Sequence, residues 1–374
     1  LAGLVRLPTE NPPGETGAAT AWLAETLAAR DHAVERHPVP APFARSYQRS
    51  DLENLIVRRT FGPGPTVALH APIDTIPAGA SWRREPFAAE IKDGFLHGLG
   101  ARDSKADVAA YVAVVEALGE AGADRGTVEL HLTADEEAGG FLGPAFLLSQ
   151  ALSAPDAVIA AGTAYQVIVG QQGVLHLEAV LRGRQAHASR PQDGHDAIMA
   201  ALPILQALQD AAARAATPLT VSTISGGRGV NIVADRARFT VDRRIDAHEN
   251  GDQVEAELTA LMEAAHTTAG VSLECRRLLL AEPVTATPQS ERLAATLSRR
   301  AEAVFGAPVP VVSAPVVSGA RHYALAGIPT ALYGVGPPII GEAVDFTGDE
   351  SVSLADLERA SLAIAQAVID VMST

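Results

Sequence analysis

The 374-residue sequence holds one cysteine, Cys275, so an intrachain disulfide, a cysteine-built metal site and thiol redox chemistry are all excluded. Lysine is almost as scarce: only Lys92 and Lys105 stand among 29 basic residues, the rest being arginine, a usage without functional weight. Positive charge as a whole is short. Lys+Arg 29 against Asp+Glu 44 leaves a formal net charge of −15, which repels phosphate backbones and anionic bilayers. Nucleic-acid and membrane partners are therefore not expected, and a small molecule or another protein is. No apolar run reaches the roughly 18 residues of a membrane span. The opening LAGLVRLPTENPPGET sets Pro12 and Pro13 too early for the apolar core of a secretory leader, so a cytoplasmic location is expected. What is present is ordinary globular material, 47% hydrophobic and 20% charged, long enough for two domains.

Patterning divides the chain. Apolar residues at helical spacing from Gly17 to Arg30 precede a strand opening at Val34. TVALHAPID reads as a buried strand ending in turn residues, VAAYVAVVEALGEAG as a helix closed by glycine, and TVELHLTADEEAGG as a strand running into a loop. Alternating helices and strands predict an α/β layered sheet. After Gly173 the order becomes strand (VLHLEAVLRG), helix (DAIMAALPILQALQDAAARA), strand (LTVSTISGG), strand (ARFTVDRRI), helix (QVEAELTALMEAAHTTA), strand (VSLECRRLLL), the β-α-β-β-α-β order of a ferredoxin-like unit. The expectation is a catalytic α/β domain of residues 1–174 and 285–374, with an inserted lid and dimerisation domain of residues 175–284.

Four blocks carry the chemistry: IDTIP after the first buried strand, FLHGLGARDSKAD, TADEEAGG, and AHASRPQDG with GGRGVNIVADRARFTVDRR in the inserted unit. In this order and spacing they resemble the zinc aminoacylase, acetylornithine deacetylase and succinyl-diaminopimelate desuccinylase family. The resemblance covers nearly the whole chain and implies a mixed-sheet catalytic domain of the zinc exopeptidase type with a ferredoxin-like lid. It also implies two zinc ions. Position by position it assigns Asp103 as the bridging ligand, Glu136 as the general base and Glu137 as a ligand. The family's first histidine falls on Pro72, its later acidic ligand at or near Gly162, its late histidine on Phe346, and a nearby aspartate on Gly319. Proline, glycine and phenylalanine offer a metal no side-chain donor. Asp74 is thereby expected to lack the imidazole it would orient.

His70 lies two residues before Pro72, about 7 Å along a strand, too far for direct replacement. A relocated zinc site would have to draw on His70, His97, His322 or Asp345. Without metal charge, Asp103, Glu136 and Glu137 in one cleft must raise at least one carboxyl pKa and share protons, which makes an acid and a base of one site. Arg102, Lys105, Arg321 and His322 are candidates for the missing positive charge. In the lid the resemblance assigns His187 to carbonyl polarisation across a homodimer, Asn231 to substrate contact and Arg244 to a bidentate grip on a substrate carboxylate, with Arg243 on the opposite strand face. Three readings follow. One is a metal-independent enzyme on an amide or amino-acid-like, carboxylate-bearing substrate, with Glu136 as general acid and base for isomerisation, cyclisation or amide rearrangement or formation. The others are a zinc amidohydrolase of N-acyl amino acids with relocated ligands, and a non-catalytic ligand-binding module.

Overall fold

A computed structural model describes residues 1–47, 49–50, 52–337 and 349–374. The chain divides into two compact units, one of residues Leu1–Gln171, Thr285–Ala314 and Ser318–Thr374, the other of Gln172–Val284 with Pro315–Val317.

The larger unit is built on an eight-stranded mixed sheet in the order Val34–Pro38, Glu53–Thr60, Thr127–Thr133, Thr66–Pro72, Ala157–Ala160, Thr330–Leu332, Val167–Gln171 and Val311–Ala314. Thr66–Pro72 and Thr127–Thr133 run parallel at its centre, His70 opposite His131. Both are buried beyond their first residue, which is why TVALHAP and TVELHLT carry apolar residues on both faces. The helices Lys105–Glu120 and Leu354–Met372 pack on the sheet around Leu69, Val114, Leu118, Ile364 and Val368. Helix Pro288–Phe305 packs alongside: Thr287 and Ser290 close a capping box, Pro288 fills the first turn, and Gly306 ends the helix at φ 68°. A small three-stranded sheet of Glu90–Lys92, Phe95–His97 and Ser351–Ser353, absent from the sequence expectation, sets His97 opposite Glu90 and Ser351.

The smaller unit has the predicted element order: Gly173–Arg182, helix Ala197–Ala212, Leu219–Gly226, Arg236–Ile245, helix Gly251–Ala265 and Ser272–Ala281. Its antiparallel sheet is ordered Leu219–Gly226, Arg236–Ile245, Gly173–Arg182, Ser272–Ala281. Leu175, Leu177, Ala179 and Leu181 alternate onto the face covered by Ile204 and Leu208 of one helix and Val254, Leu258 and Met262 of the other. Asp196 starts the first helix by accepting the N–H groups of Ile198 and Met199. Among the described residues no helix is long and apolar enough to cross a membrane.

Candidate active site

The parallel strands Thr66–Pro72 and Thr127–Thr133 both end at one edge of the sheet, where α/β folds bind ligands. The first releases the chain to Asp74 and the second to Asp135–Gly140. Asp74 is fully buried. Its Oδ1 accepts the Glu136 N–H at 3.0 Å, and its Oδ2 accepts the Glu137 N–H at 3.2 Å and the Asn11 amide at 2.9 Å. Where the sequence leaves Asp74 without an imidazole to orient, its carboxylate instead braces the backbone of the acidic loop. That loop turns through left-handed Asp135 (φ 73°) and a single helical turn, Glu136–Ala138, to Gly139 and Gly140. At Gly140 (φ 69°) a Cβ would come within 2.9 Å of the Gly319 Cα, so the two backbones approach closely.

Glu136 points at that neighbour. Both its carboxylate oxygens accept the Gly319 N–H, at 2.7 and 2.9 Å. A Cβ on residue 319 would lie 2.4 Å from Oε2, so the glycine is what allows the carboxylate to sit there. The loss of an aspartate at 319, which on sequence alone is only a missing acceptor, thus has a steric reason. Burial raises the Glu136 pKa, the Gly319 bond and Arg321 hold it down, and the charges of Asp74 and Asp103 add to the rise, leaving it at about 7. Burial and then Asp103, Asp74, Glu136 and Glu350 push Glu137 up to about 9, although its side chain retains solvent contact. Asp103 is exposed and accepts the Ser104 hydroxyl at 2.7 Å.

Sequence reasoning missed two carboxylates here. Glu350 is buried beside Asp103 and Glu137 and is pushed up to about 7 by burial, against the pull of Arg102. Its signal was an acidic residue four positions beyond the motif histidine's place at 346. Asp107, four residues after Asp103 and in the first turn of the helix Lys105–Glu120, is fully buried. Its carboxylate accepts the Val335 N–H at 2.8 Å and the Gly162 N–H, and burial sets its pKa well above the usual range. An acidic group is thus back beside Gly162, delivered from a helix, but its oxygens are committed to backbone.

Three of the four candidate cations flank these acids. Lys105 is buried and donates to the Leu7 carbonyl at 3.0 Å. Burial lowers its pKa to about 8 against the raising charges of Glu350, Asp74 and Glu10. Arg102 acts on Glu350, and Arg321, buried over the Phe141 ring, acts on Glu136 while donating to the Gly139 and Ser318 carbonyls. His322 is the exception. Burial and Arg321 lower it to about 4, so it is neutral near pH 7, with Nε2 2.9 Å from the Gly139 carbonyl.

Among the described residues, the positions that the resemblance assigns to metal do not make up a paired centre. Pro72 and Gly162 present no donor, and Asp345 and Phe346 lie outside the described residues. His70 turns Nε2 to the Thr133 hydroxyl at 2.9 Å, His322 faces a carbonyl, and His97 sits in the small sheet. Among the described residues no group of three or more His, Cys, Asp or Glu could hold a metal ion.

In the smaller unit, His187 and Asn231 lie on adjoining backbone segments, joined by the Ala188 N–H to Asn231 carbonyl bond at 3.0 Å and by pairing of His187 with Ile232. Both side chains are exposed, and His187 Nδ1 is 2.8 Å from the Ser189 hydroxyl. Arg244 grips Asp242 through Nε at 3.0 Å and a terminal nitrogen at 3.3 Å, while His176 meets the same carboxylate at 3.0 Å. Arg243, one residue away in the strand, instead binds Thr217 and Glu249.

Comparison with known proteins agrees with this architecture. A succinyl-diaminopimelate desuccinylase of Methylobacterium sp. (strain 4-46) is 32% identical over 285 residues, covering 70% of this chain and 69% of the relative. A tripeptidase structure from Staphylococcus aureus superposes with a TM-score of 0.76 at 20% identity, over 100% of this chain and 97% of its own. An M20 family metallo-carboxypeptidase structure from Sulfolobus solfataricus gives 0.81 at 14% identity, over 100% and 98%. These two likenesses are of fold. The profile of peptidase family M20/M25/M40 matches residues 68–370, and the chain, of peptidase and amidohydrolase type, belongs to that family.

Proposed function

We propose that the protein is an enzyme acting at the amide or amino-acid-like group of a small, carboxylate-bearing molecule, with Glu136 moving the proton and without a paired-metal centre. The observation that carries the reading is the Glu136 carboxyl: held on the Gly319 N–H, flanked by Arg321 and brought to about 7, it can both accept and return a proton near neutral pH. Asp103 and Glu137 share its field, while Arg102 and Lys105 supply fixed positive charge to the surrounding carboxylates. Isomerisation, cyclisation and amide rearrangement or formation all need such a group beside a polarised carbonyl.

In this reading Arg244 holds the substrate carboxylate in place of Asp242, Asn231 contacts the substrate, and His187 polarises the carbonyl from the partner subunit of a homodimer. Two features of the smaller unit support a second copy there. The edge strand Leu219–Gly226 is exposed along nearly its whole length, and Ile198, Met199 and Leu202 on the neighbouring helix are exposed apolar residues. The net charge of −15 supports a small-molecule ligand over nucleic acid or membrane, and the lone cysteine supports a cytoplasmic location.

The desuccinylase among the relatives favours a second reading, amide hydrolysis of an acylated amino acid with zinc on relocated ligands. Elemental analysis after purification without chelator, followed by excess zinc, separates the two. The expected result is far less than one zinc per chain, turnover indifferent to chelator, and a loss of roughly a hundredfold or more in Glu136→Gln. Stoichiometric zinc would return the protein to zinc hydrolysis. Turnover unchanged in Glu136→Gln would overturn the proposal. Ligand binding that is lost in Arg244→Ala, with no conversion, would make the protein a binding module.

A further inference from the structure

Behind the site, in the larger unit, lies a buried polar chain that the proposed chemistry does not use. The His131 Nδ1 is 2.8 Å from the Tyr323 hydroxyl, and its Nε2 is 2.9 Å from Glu129 Oε2. Glu129 also accepts the Ser153 hydroxyl and pairs with Arg58 at 3.3 Å. Tyr323 and His131 are fully buried and their rings stack, with centroids 5.7 Å apart, while His70 meets the tyrosine edge-on at 5.4 Å. Five buried polar side chains, Glu129, His131, Ser153, Tyr323 and His70, rarely gather in a core without a task, because each must be satisfied there. With Arg58 and Ser153 on it, Glu129 serves as an ionised acceptor. His131 thus bridges the two ends, Nε2 facing the Glu129 carboxylate and Nδ1 the Tyr323 hydroxyl.

The far end of this chain is the short turn that holds the proposed base. Tyr323 belongs to Arg321–Leu325, entered through Ser318 and Gly319. Ser318 is tied to Gln171 by its N–H at 2.9 Å and its hydroxyl at 3.1 Å. Gly319 presents its N–H to both oxygens of Glu136, and Arg321 and His322 both meet the Gly139 carbonyl three residues after it. Every element between the strand Thr127–Thr133 and the Glu136 carboxylate is therefore joined by a named hydrogen bond.

We propose that Glu129, His131 and Tyr323 form a positioning device, which locks the 318–325 turn to the sheet and so fixes the Gly319 N–H under Glu136. These are positioning residues, since none reaches a substrate. The mechanistic importance rests on the reading of Glu136 as the proton carrier, but the geometry can be tested apart from it. The test is amide hydrogen exchange at Gly319 and across 136–142 in the full chain, with turnover measured alongside. Tyr323→Phe removes only the hydroxyl, and Glu129→Gln removes the charge at the other end, giving a second variant should the first fail to fold.

The expected result in either variant is exchange about three- to tenfold faster at Gly319 and in 136–142, with the strand Gly173–Arg182 of the smaller unit unchanged. Where Glu136 carries the reaction, kcat falls with KM little altered. Faster exchange at Gly319 in variants with wild-type kcat would uphold the positioning and sink the role of Glu136. Wild-type exchange at Gly319 in both folded variants would overturn the proposal. So would a uniform rise along all strands of the eight-stranded sheet, which a merely structural cluster would give.

Discussion

At the scale of single residues, the site is organised by glycines and by His70 and His322, which burial keeps neutral near pH 7. Gly319→Ala sets a methyl group 2.4 Å from Glu136 Oε2, the free end of a flexible side chain that can swing away. The stability cost should stay within about 1 kcal/mol. Yet the Gly319 N–H loses its carboxylate, and kcat should fall roughly tenfold or more if Glu136 acts from this position. Thermal unfolding and steady-state kinetics on the same preparation check both halves; unchanged kcat would mean that the carboxylate works from elsewhere. His70 gives a pH prediction. Burial, then the cost of placing a positive charge beside His131 and His322, lowers it to about 3 from an ordinary value of 6.5. A depressed folded pKa stabilises fully above pH 6.5 and is lost as pH falls toward 3, because the unfolded chain takes the proton first. Between pH 8 and pH 5 this histidine should remove about 2 kcal/mol of stability, and His70→Leu should be spared that loss. Denaturant titrations of both proteins at the two pH values measure it; equal losses would mean that His70 is charged in the folded state.

At the scale of elements, periodicity and turn chemistry carried most of the fold. The strand TVELHLT and the six elements of the smaller unit are each specified by local pattern, and each formed where that pattern lies. The Asp103, Glu136 and Glu137 positions were legible for a different reason: they stand in short blocks at recognisable spacing. What could not be read is what one element does to another. Asp107 sits in the sequence like any polar residue in the first turn of a helix, and only the packed structure brings it to the Gly162 and Val335 N–H groups. The fit is tight enough that a Cβ on Gly334 would lie 1.9 Å from Asp107 Oδ1 and 2.7 Å from the Gly162 nitrogen, so that glycine belongs to the same arrangement. His131 and Tyr323 are 192 positions apart, and no periodicity links them. Asp74 was expected to lack an imidazole partner, but what it holds instead could not be read, because the Glu136 and Glu137 N–H groups are backbone and leave no trace in residue identity.

At the scale of the whole molecule, a chain of net charge −15 repels a carboxylate at long range, so recognition of the carboxylate-bearing substrate proposed above would depend on short-range donors such as Arg244. Glu136 is carried by the larger unit and His187 by the smaller. The proposed homodimer makes one active site from Glu136 of one subunit and His187 of the other, and this has an arithmetic consequence. His187→Ala and Glu136→Gln homodimers each lack one group at every site and should be nearly inactive. If the two variants are mixed and allowed to exchange subunits at random, half of the dimers become mixed. In each mixed dimer one site receives an intact Glu136 and an intact His187, while the other receives neither. Activity should therefore recover to about a quarter of the wild-type value per chain. If His187 instead served the site of its own chain, every site in a mixed dimer would still lack one group, and no mixing ratio would restore turnover. Recovery as a function of mixing ratio, with mixed dimers counted by native mass spectrometry, distinguishes the two arrangements.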